Sequence, residues 1–109
     1  SGLYYEDVAV GSGAVADSGR VVSTFYDGWL TNGRLFDSNR DSGRPLSFTL
    51  GVGQVIRGWD EGLRGMRVGG RRRLVIPPAL GYGNRTGSRI PAGSVLVFLI
   101  DLQGVTGGT

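Results

Sequence analysis

Six aromatic side chains, Tyr26, Phe36, Phe48, Trp59, Tyr82 and Phe98, are spread over six separate stretches of this sequence. In a domain this small most of them can meet in one cluster. An ordinary core would use them in the same way, but their flanks point to a rim. Asp37 follows Phe36, Tyr82 lies between two glycines, and Val55 and Ile56 precede a helical pattern instead of lying inside it.

The rest of the inventory excludes most reactive chemistry. With no Cys and no His, the chain cannot build a thiolate or imidazole zinc site, a Ser-His-Asp or Cys-His nucleophile, or a disulfide framework. All twelve basic residues are Arg, so a P-loop lysine, a Schiff-base lysine and a pyridoxal site are excluded too. Catalysis here must use another device, and differential binding asks only for shape, dryness and a few fixed donors. No cofactor and no metal is expected.

Other motifs fail on inspection. Asp37, Asn39 and Asp41 imitate the opening of a calcium loop, but Ser42 stands at the glycine position and Phe48 at the position of the closing Glu. The pairs Gly51/Gly53 and Gly81/Gly83 lack a third glycine at dinucleotide spacing and sit in no βαβ unit. Arg71, Arg72 and Arg73 resemble a phosphate patch, yet strand alternation sends Arg72 to the other face, so a solvated strand face is expected and no nucleic-acid partner. Asn84-Arg-Thr86 matches a glycosylation acceptor that matters only on a eukaryotic secretory route.

The elements that must position the aromatics are strands and one helix. At 109 residues one domain is expected, over 1–109, with a core at about 18–103 and an N-terminal strand or arm over 1–17. Gly19 to Gly28 reads as a strand with Val22, Thr24 and Tyr26 on one face and Val21, Ser23 and Phe25 on the other. Asn32-Gly33 between apolar flanks predicts a hairpin with a type I′ turn. Leu46, Phe48 and Leu50 alternate toward the core of a further strand, beginning after Pro45. From Val55 to Arg64 the period changes: Ile56, Trp59 and Leu63 form one stripe of a short helix, and Gly58 and Gly62 weaken it by about 1 kcal/mol each. Arg71 to Ile76 reads as a strand cut off by Pro77-Pro78, and Ser94 to Gln103 as a long, mostly buried final strand. Strands on both sides of one helix indicate an α+β class, a twisted antiparallel sheet of about five strands around a short helix.

Twenty-one glycines, far above ordinary usage of about 7%, fall without period and indicate tight turns. No run of 18 apolar residues exists, so no membrane span is expected. The net charge of +3 and isoelectric point near 10 are a mild basic excess.

Six segments carry a family resemblance: YDGWL at 26–30, LFDS at 35–38, GQVIRGWDEG at 53–62, MRVGGR at 66–71, IPPALGYG at 76–83 and IPAGSVLVF at 90–98. Taken in order, they closely resemble the FK506-binding-protein (FKBP) family of peptidyl-prolyl cis-trans isomerases. The resemblance implies an antiparallel sheet wrapped around one helix with an apolar pocket between them. It implies Trp59 as the pocket floor, Val55 and Ile56 as a wall with the Ile56 N–H as donor, and Tyr26, Phe36, Phe98 and Ile90 as sides. Leu46 and Phe48 join the substrate-binding set, Tyr82 offers a hydroxyl at the rim, and Asp37 sits beside the Tyr26 hydroxyl as the one acidic group. Leu46 falls where the family often has an aromatic ring, Ser42 where an Arg is common, and the loop from Gly83 to Ile90 looks shortened. Phe25 replaces a polar residue, and an exposed Phe25 would hint at a contact surface.

The activity implied is rotation about X-Pro bonds in proline-containing polypeptides, assisting folding, with FK506- and rapamycin-like macrolides as inhibitors. A proline-segment clamp with weak turnover is the alternative, supported by Leu46 and the shortened loop. A monomer is expected. The start at Ser1, with Gly11-Ser-Gly13 following, resembles the segment ahead of the isomerase domain in bacterial and plastid relatives. It is read as the loss of an upstream segment, with the bacterial cytoplasm or cell envelope as the expected location.

Overall fold

The computed structural model describes residues 2–83 and 90–107. The readings placed on the loop between Gly83 and Ile90, including the Asn84 acceptor site, concern positions 84–89 and so lie outside the described residues.

The chain forms strands β1 (Tyr4–Ala9), β2 (Val21–Leu30), β3 (Leu35–Ser38) and β4 (Leu46–Thr49), helix α1 (Arg57–Gly62), then β5 (Arg71–Ile76) and β6 (Leu96–Thr106). All pairings are antiparallel, in the order β1-β5-β6-β2-β3, with β4 also on β2. Because β6 holds one edge of β2, β3 and β4 share the other: β3 faces Asp27 to Trp29 and β4 faces Val21 to Thr24. A 3-10 turn at Arg40–Ser42 interrupts what is in effect one edge position. The sheet therefore has the expected five positions, the fifth split in two.

Alternation explains why the sheet has an inside. Val22, Thr24, Gly28 and Leu30 of β2, Leu74 and Ile76 of β5, and Leu96, Phe98, Ile100 and Leu102 of β6 are all buried, which brings apolar rows from three strands onto one concave face. Helix α1 lies on this face. It takes up six residues of the stretch Val55 to Arg64, because Ile56 is extended (ψ 151°) and Leu63 closes the C-terminus, so Val55 and Ile56 precede it as their flanks indicate. A helix of this length is not stable alone in water. Its docking depends on Gly58 and Gly62, where a Cβ would lie 2.6 Å from Ile76 and 2.7 Å from Leu74. The two glycines that weaken the helix as a helix let its backbone rest directly on β5.

Three expectations are corrected. The hairpin between β2 and β3 is not type I′: among the described residues only glycines have positive φ, so Asn32 keeps a negative one and Gly33 alone of the pair is left-handed (φ 87°). The Gly33 N–H donates to Leu30 O and the Leu30 N–H to Arg34 O, each at 2.9 Å, the pattern of a three-residue loop with a bulge glycine. Leu46 does not join Phe48 and Leu50 in the core, being 38% exposed at the mouth of the concave face. Arg72 does leave the face of its neighbours, but for the core side and not for solvent. Its buried guanidinium donates to Gly62 O (2.9 Å) and Arg64 O (3.0 Å) at the end of α1 and pairs with Asp7 of β1 at 2.6 Å.

The outer face is tied by charge. Arg40 bridges Asp27 of β2 and Asp101 of β6, and Arg71 of β5 also holds Asp101 at 2.7 Å. Burial would raise the Asp101 carboxyl, yet Arg71 and Arg40 hold it below the ordinary range. Phe25, opposite Asp101, is half-buried and not an exposed patch. Among the described residues no helix is long and apolar enough to cross a membrane.

Gly58→Ala tests the docking of α1. Helix propensity alone favours alanine by about 1 kcal/mol, whereas overpacking against Ile76 predicts a loss of about 1–3 kcal/mol in urea unfolding; a gain in stability would contradict the close contact.

Candidate functional site

The concave face is not filled from end to end. Between α1, the ends of β2 and β6, and the turn after β5 lies a cavity of about 670 Å³, a size that takes a small molecule or a short peptide segment. Each wall has a local reason for its position.

The floor is Trp59, the third residue of α1, 4% exposed. Three rings fix it: Tyr26 from β2 (centroids 4.9 Å apart, 82° between planes), Phe98 from β6 (5.2 Å, 88°) and Phe48 from β4 (5.8 Å, 49°). The two edge-to-face pairs, with Tyr26 and Phe98, each add about 0.5–1.5 kcal/mol beyond area burial, while the Phe48 ring is tilted against the indole. Phe36 packs against Phe98 from behind at 5.5 Å. This contact runs past Gly28, where a Cβ would stand 2.8 Å from both rings. A bulge in the β2–β3 pairing, between Gly28 and Trp29, turns Phe36 inward and leaves Asp37 at the mouth.

The wall of residues 51–56 is held by side chains that carry no signature of a site. Asp60 of α1 accepts the Gly51 N–H (2.8 Å) and the Gly53 N–H (3.0 Å), and Gln54 Oε1 accepts the Thr49 N–H (2.9 Å). The loop is thus tied to the helix after it and to the strand before it, which presents Val55 and Ile56 to the cavity. Ile56 O caps α1 by accepting from the Trp59 and Asp60 N–H groups, while the Ile56 N–H donates to no atom of the described residues. The far wall comes from the 3-10 turn at Pro78–Leu80, which follows the Pro77-Pro78 stop and carries Ala79, Gly81 and Tyr82 to the mouth.

Polar groups are few. The Tyr26 hydroxyl donates to Asp37 Oδ2 at 2.8 Å. Burial, and then this bond and the Asp37 charge, push the Tyr26 hydroxyl far above the ordinary tyrosine range. Burial also raises Tyr82, with Asp37 adding to it. Both hydroxyls therefore stay protonated as donors through neutral and mildly alkaline pH. The Trp59 Nε1 is buried without a hydrogen-bond partner among the described residues.

The structure brings Tyr26, Asp37, Leu46, Val55, Ile56, Trp59, Tyr82 and Phe98 to the cavity. Phe36 and Phe48 stand behind it, supporting Phe98 and Trp59. Ile90 packs partly buried against the core. Gly53, Gln54, Arg57, Ala79 and Gly81 also line the cavity, although the sequence marks them only as turn glycines or as members of the motif segments, not as site residues. Several offer mainly backbone, which leaves no side-chain pattern to find; Arg57 looks like any residue on a helix's polar face. Among the described residues no three or more acids cluster as metal ligands would.

Comparison with known proteins bears on this arrangement. The sequence model of a family described as FKBP-type peptidyl-prolyl cis-trans isomerase matches residues 13–103. The chain is 49% identical over 102 residues to the FK506-binding protein of Neisseria meningitidis serogroup B, covering 93% of this chain and 94% of that one. It is 47% identical over 106 residues to the FK506-binding protein of Streptomyces anulatus, covering 94% and 86%. The crystal structure of AtFKBP13 superposes with a TM-score of 0.89 at 42% identity over 96% of this chain and 94% of its own. FkpA from Escherichia coli gives 0.89 at 41% identity over 99% of this chain, which spans half of that protein.

The two hydrogen bonds that Asp60 accepts from the Gly51 and Gly53 N–H groups predict that Asp60→Ala frees the 51–54 loop. Hydrogen exchange at Gly51 and Gly53 should accelerate while β5 and β6 amides stay protected, with about 1–3 kcal/mol lost in unfolding. Unchanged exchange at both glycines would contradict the tether.

Proposed function

Because this chain belongs to the FKBP-type peptidyl-prolyl cis-trans isomerase family, we propose that its pocket accelerates rotation about X-Pro peptide bonds without forming a covalent bond, and so assists folding. The carrying observation is the Trp59 ring, held edge-on by Tyr26 and Phe98 as the floor of a cavity whose rim offers isolated donors.

Resonance gives the peptide C–N bond double-bond character and a barrier of about 18–20 kcal/mol. The same resonance makes the planar amide more polar than the twisted one, so water favours the planar ground state. Transfer into a pocket walled by Trp59, Phe98, Val55 and Ile56 removes that preference and favours the twisted transition state. A barrier lowered by about 4 kcal/mol gives roughly a thousandfold. Neither nucleophile nor base takes part, in keeping with a chain that has no His, Cys or Lys.

In this reading the proline ring rests on Trp59 against Phe98, with Val55 and Ile56 at its side. The Ile56 N–H and the Tyr82 hydroxyl hold the carbonyls that flank the rotating bond. Tyr26 and Ile90 complete the sides and Leu46 the mouth. Phe36 and Phe48 act through Phe98 and Trp59 by holding those rings in place. FK506- and rapamycin-like macrolides would occupy the same pocket and compete with the peptide.

Exchange NMR on an X-Pro tetrapeptide, with catalytic amounts of protein, should show accelerated cis–trans exchange that FK506 suppresses. Peptide binding without acceleration would make the chain a proline clamp instead. Trp59→Ala, checked for folding by near-UV circular dichroism, should lower kcat/KM by about tenfold or more, and activity close to the parent would remove Trp59 from the mechanism. Since the raised Tyr26 and Tyr82 hydroxyls keep their protons well past the ordinary tyrosine range, kcat/KM should be level from about pH 7 to about pH 9.5. An inflection inside that window would show that another group must titrate for turnover.

A further inference from the structure

Among the described residues two charged side chains line the pocket, and they differ in how they are compensated. Arg57 projects into solvent, 74% exposed, with its guanidinium 3.8 Å from Glu61. Asp37 has no cationic partner within ion-pairing distance among the described residues; its Oδ2 accepts the Tyr26 hydroxyl, and no hydrogen bond ends on Oδ1.

The neighbouring turn explains why no arginine among the described residues pairs with Asp37. Arg40, three residues on, spends its guanidinium on Asp27, Asp101 and Leu99 O across the outer face. Ser42 directs its hydroxyl to Asn39 O at 2.7 Å and Arg44 O at 3.1 Å, within its own turn. Glu6, Asp7, Asp27, Glu61 and Asp101 each face an arginine and Asp60 is occupied by two amide donors, while Asp17 and Asp41, which like Asp37 form no ion pair among the described residues, stand away from the cavity. Asp37 is therefore a carboxylate with spare acceptor capacity at the mouth of a cavity floored by Trp59 and Phe98. Low-dielectric walls of this kind focus the field of a single charge into the cleft. That field spans the pocket, since Asp37 adds to the burial that raises the hydroxyls of both Tyr26 and Tyr82.

We propose that Asp37 makes this pocket select X-Pro segments that carry a cationic side chain, Lys or Arg, next to the proline. The proposal rests on the isomerase reading and names the substrate class within it. The chain's net charge of +3 acts at longer range in the opposite direction and is screened by salt, so a preference for cationic peptides is a signature of the local carboxylate.

The test uses two series of N-acetylated, C-amidated tetrapeptides in which Lys, Leu or Glu stands immediately before or immediately after proline, turned over by the full chain. On at least one flank, kcat/KM for the Lys peptide should exceed that for the Glu peptide by about threefold or more at low salt. The ratio should fall toward one at about 0.5 M salt. Asp37→Asn should bring the ratio to one. Its absolute rate is expected to fall as well, so the ratio is the readout, and the ratio of peptide affinities from NMR titration serves if turnover becomes too slow. Equal rates, or a Glu preference, on both flanks would overturn the proposal, as would a Lys preference that survives Asp37→Asn. The Leu peptides separate the two levels: their turnover alongside a flat Lys-to-Glu ratio rejects the charge preference alone, and their failure to be accelerated rejects the isomerase reading beneath it.

Discussion

The position of Trp59 is a property of the sheet. A six-residue helix with glycines at Gly58 and Gly62 has too few internal hydrogen bonds to persist in water, so everything that fixes the indole comes from outside the helix. Its backbone rests on Leu74 and Ile76 of β5, its ring is enclosed by Tyr26, Phe48 and Phe98 from three strands, and its C-terminal carbonyls are held by Arg72. One ring thus serves the core on one side and the pocket on the other. This dual use explains how a chain of 109 residues can keep an open apolar cavity: the floor is already part of the core's stabilisation.

The walls follow the same economy. Asp60 leaves the helix to collect two amides of the preceding loop, and Gln54 collects one from β4, so the segment bearing Val55 and Ile56 is bound at both ends. On the outer face, the Arg40 bridge between Asp27 and Asp101 fastens the irregular edge between β3 and β4 to the middle of the sheet. That edge supplies Asp37 at the mouth and Leu46 beside it. Polar contacts on the far side of the sheet therefore contribute to the shape of the apolar side.

Much of this was legible in the order of residues, for a physical reason. β2 and β5 are buried on one face, so alternation shows their core side, whereas β6 reads as a mostly buried apolar run and the structure buries only one of its faces; Trp59 and Leu63 show the helix by their spacing. β1 is exposed at every position and carries no alternation, so its strand register was invisible although an N-terminal arm was expected. Arg72 illustrates a stronger limit. Its core-side placement follows from alternation, but a guanidinium is tolerated there only because Asp7, 65 positions earlier in the chain, the last helix carbonyl at Gly62 and the Arg64 carbonyl just beyond it meet it. The turn at Asn32-Gly33 was misjudged because the pair fits two loop lengths and only the register of β3 chooses between them. In the pocket, the aromatic and aliphatic lining was readable, whereas Gly53, Ala79 and Gly81 stand in recognisable segments but contribute through backbone position, which no side-chain type announces.

Catalysis on this account is a matter of solvation and shape, with the Ile56 N–H and the Tyr82 hydroxyl as fixed donors; burial raises the Tyr82 hydroxyl, so it keeps its proton through neutral and mildly alkaline pH. The most direct measurement is the solvent deuterium isotope effect on kcat/KM for an X-Pro tetrapeptide. Rotation inside a dry aromatic pocket predicts a ratio of about 1, because no proton is in flight at the transition state. A ratio of about 2 or more would mean that a proton moves in the rate-limiting step, and the account built on Trp59 and its surrounding rings would be wrong.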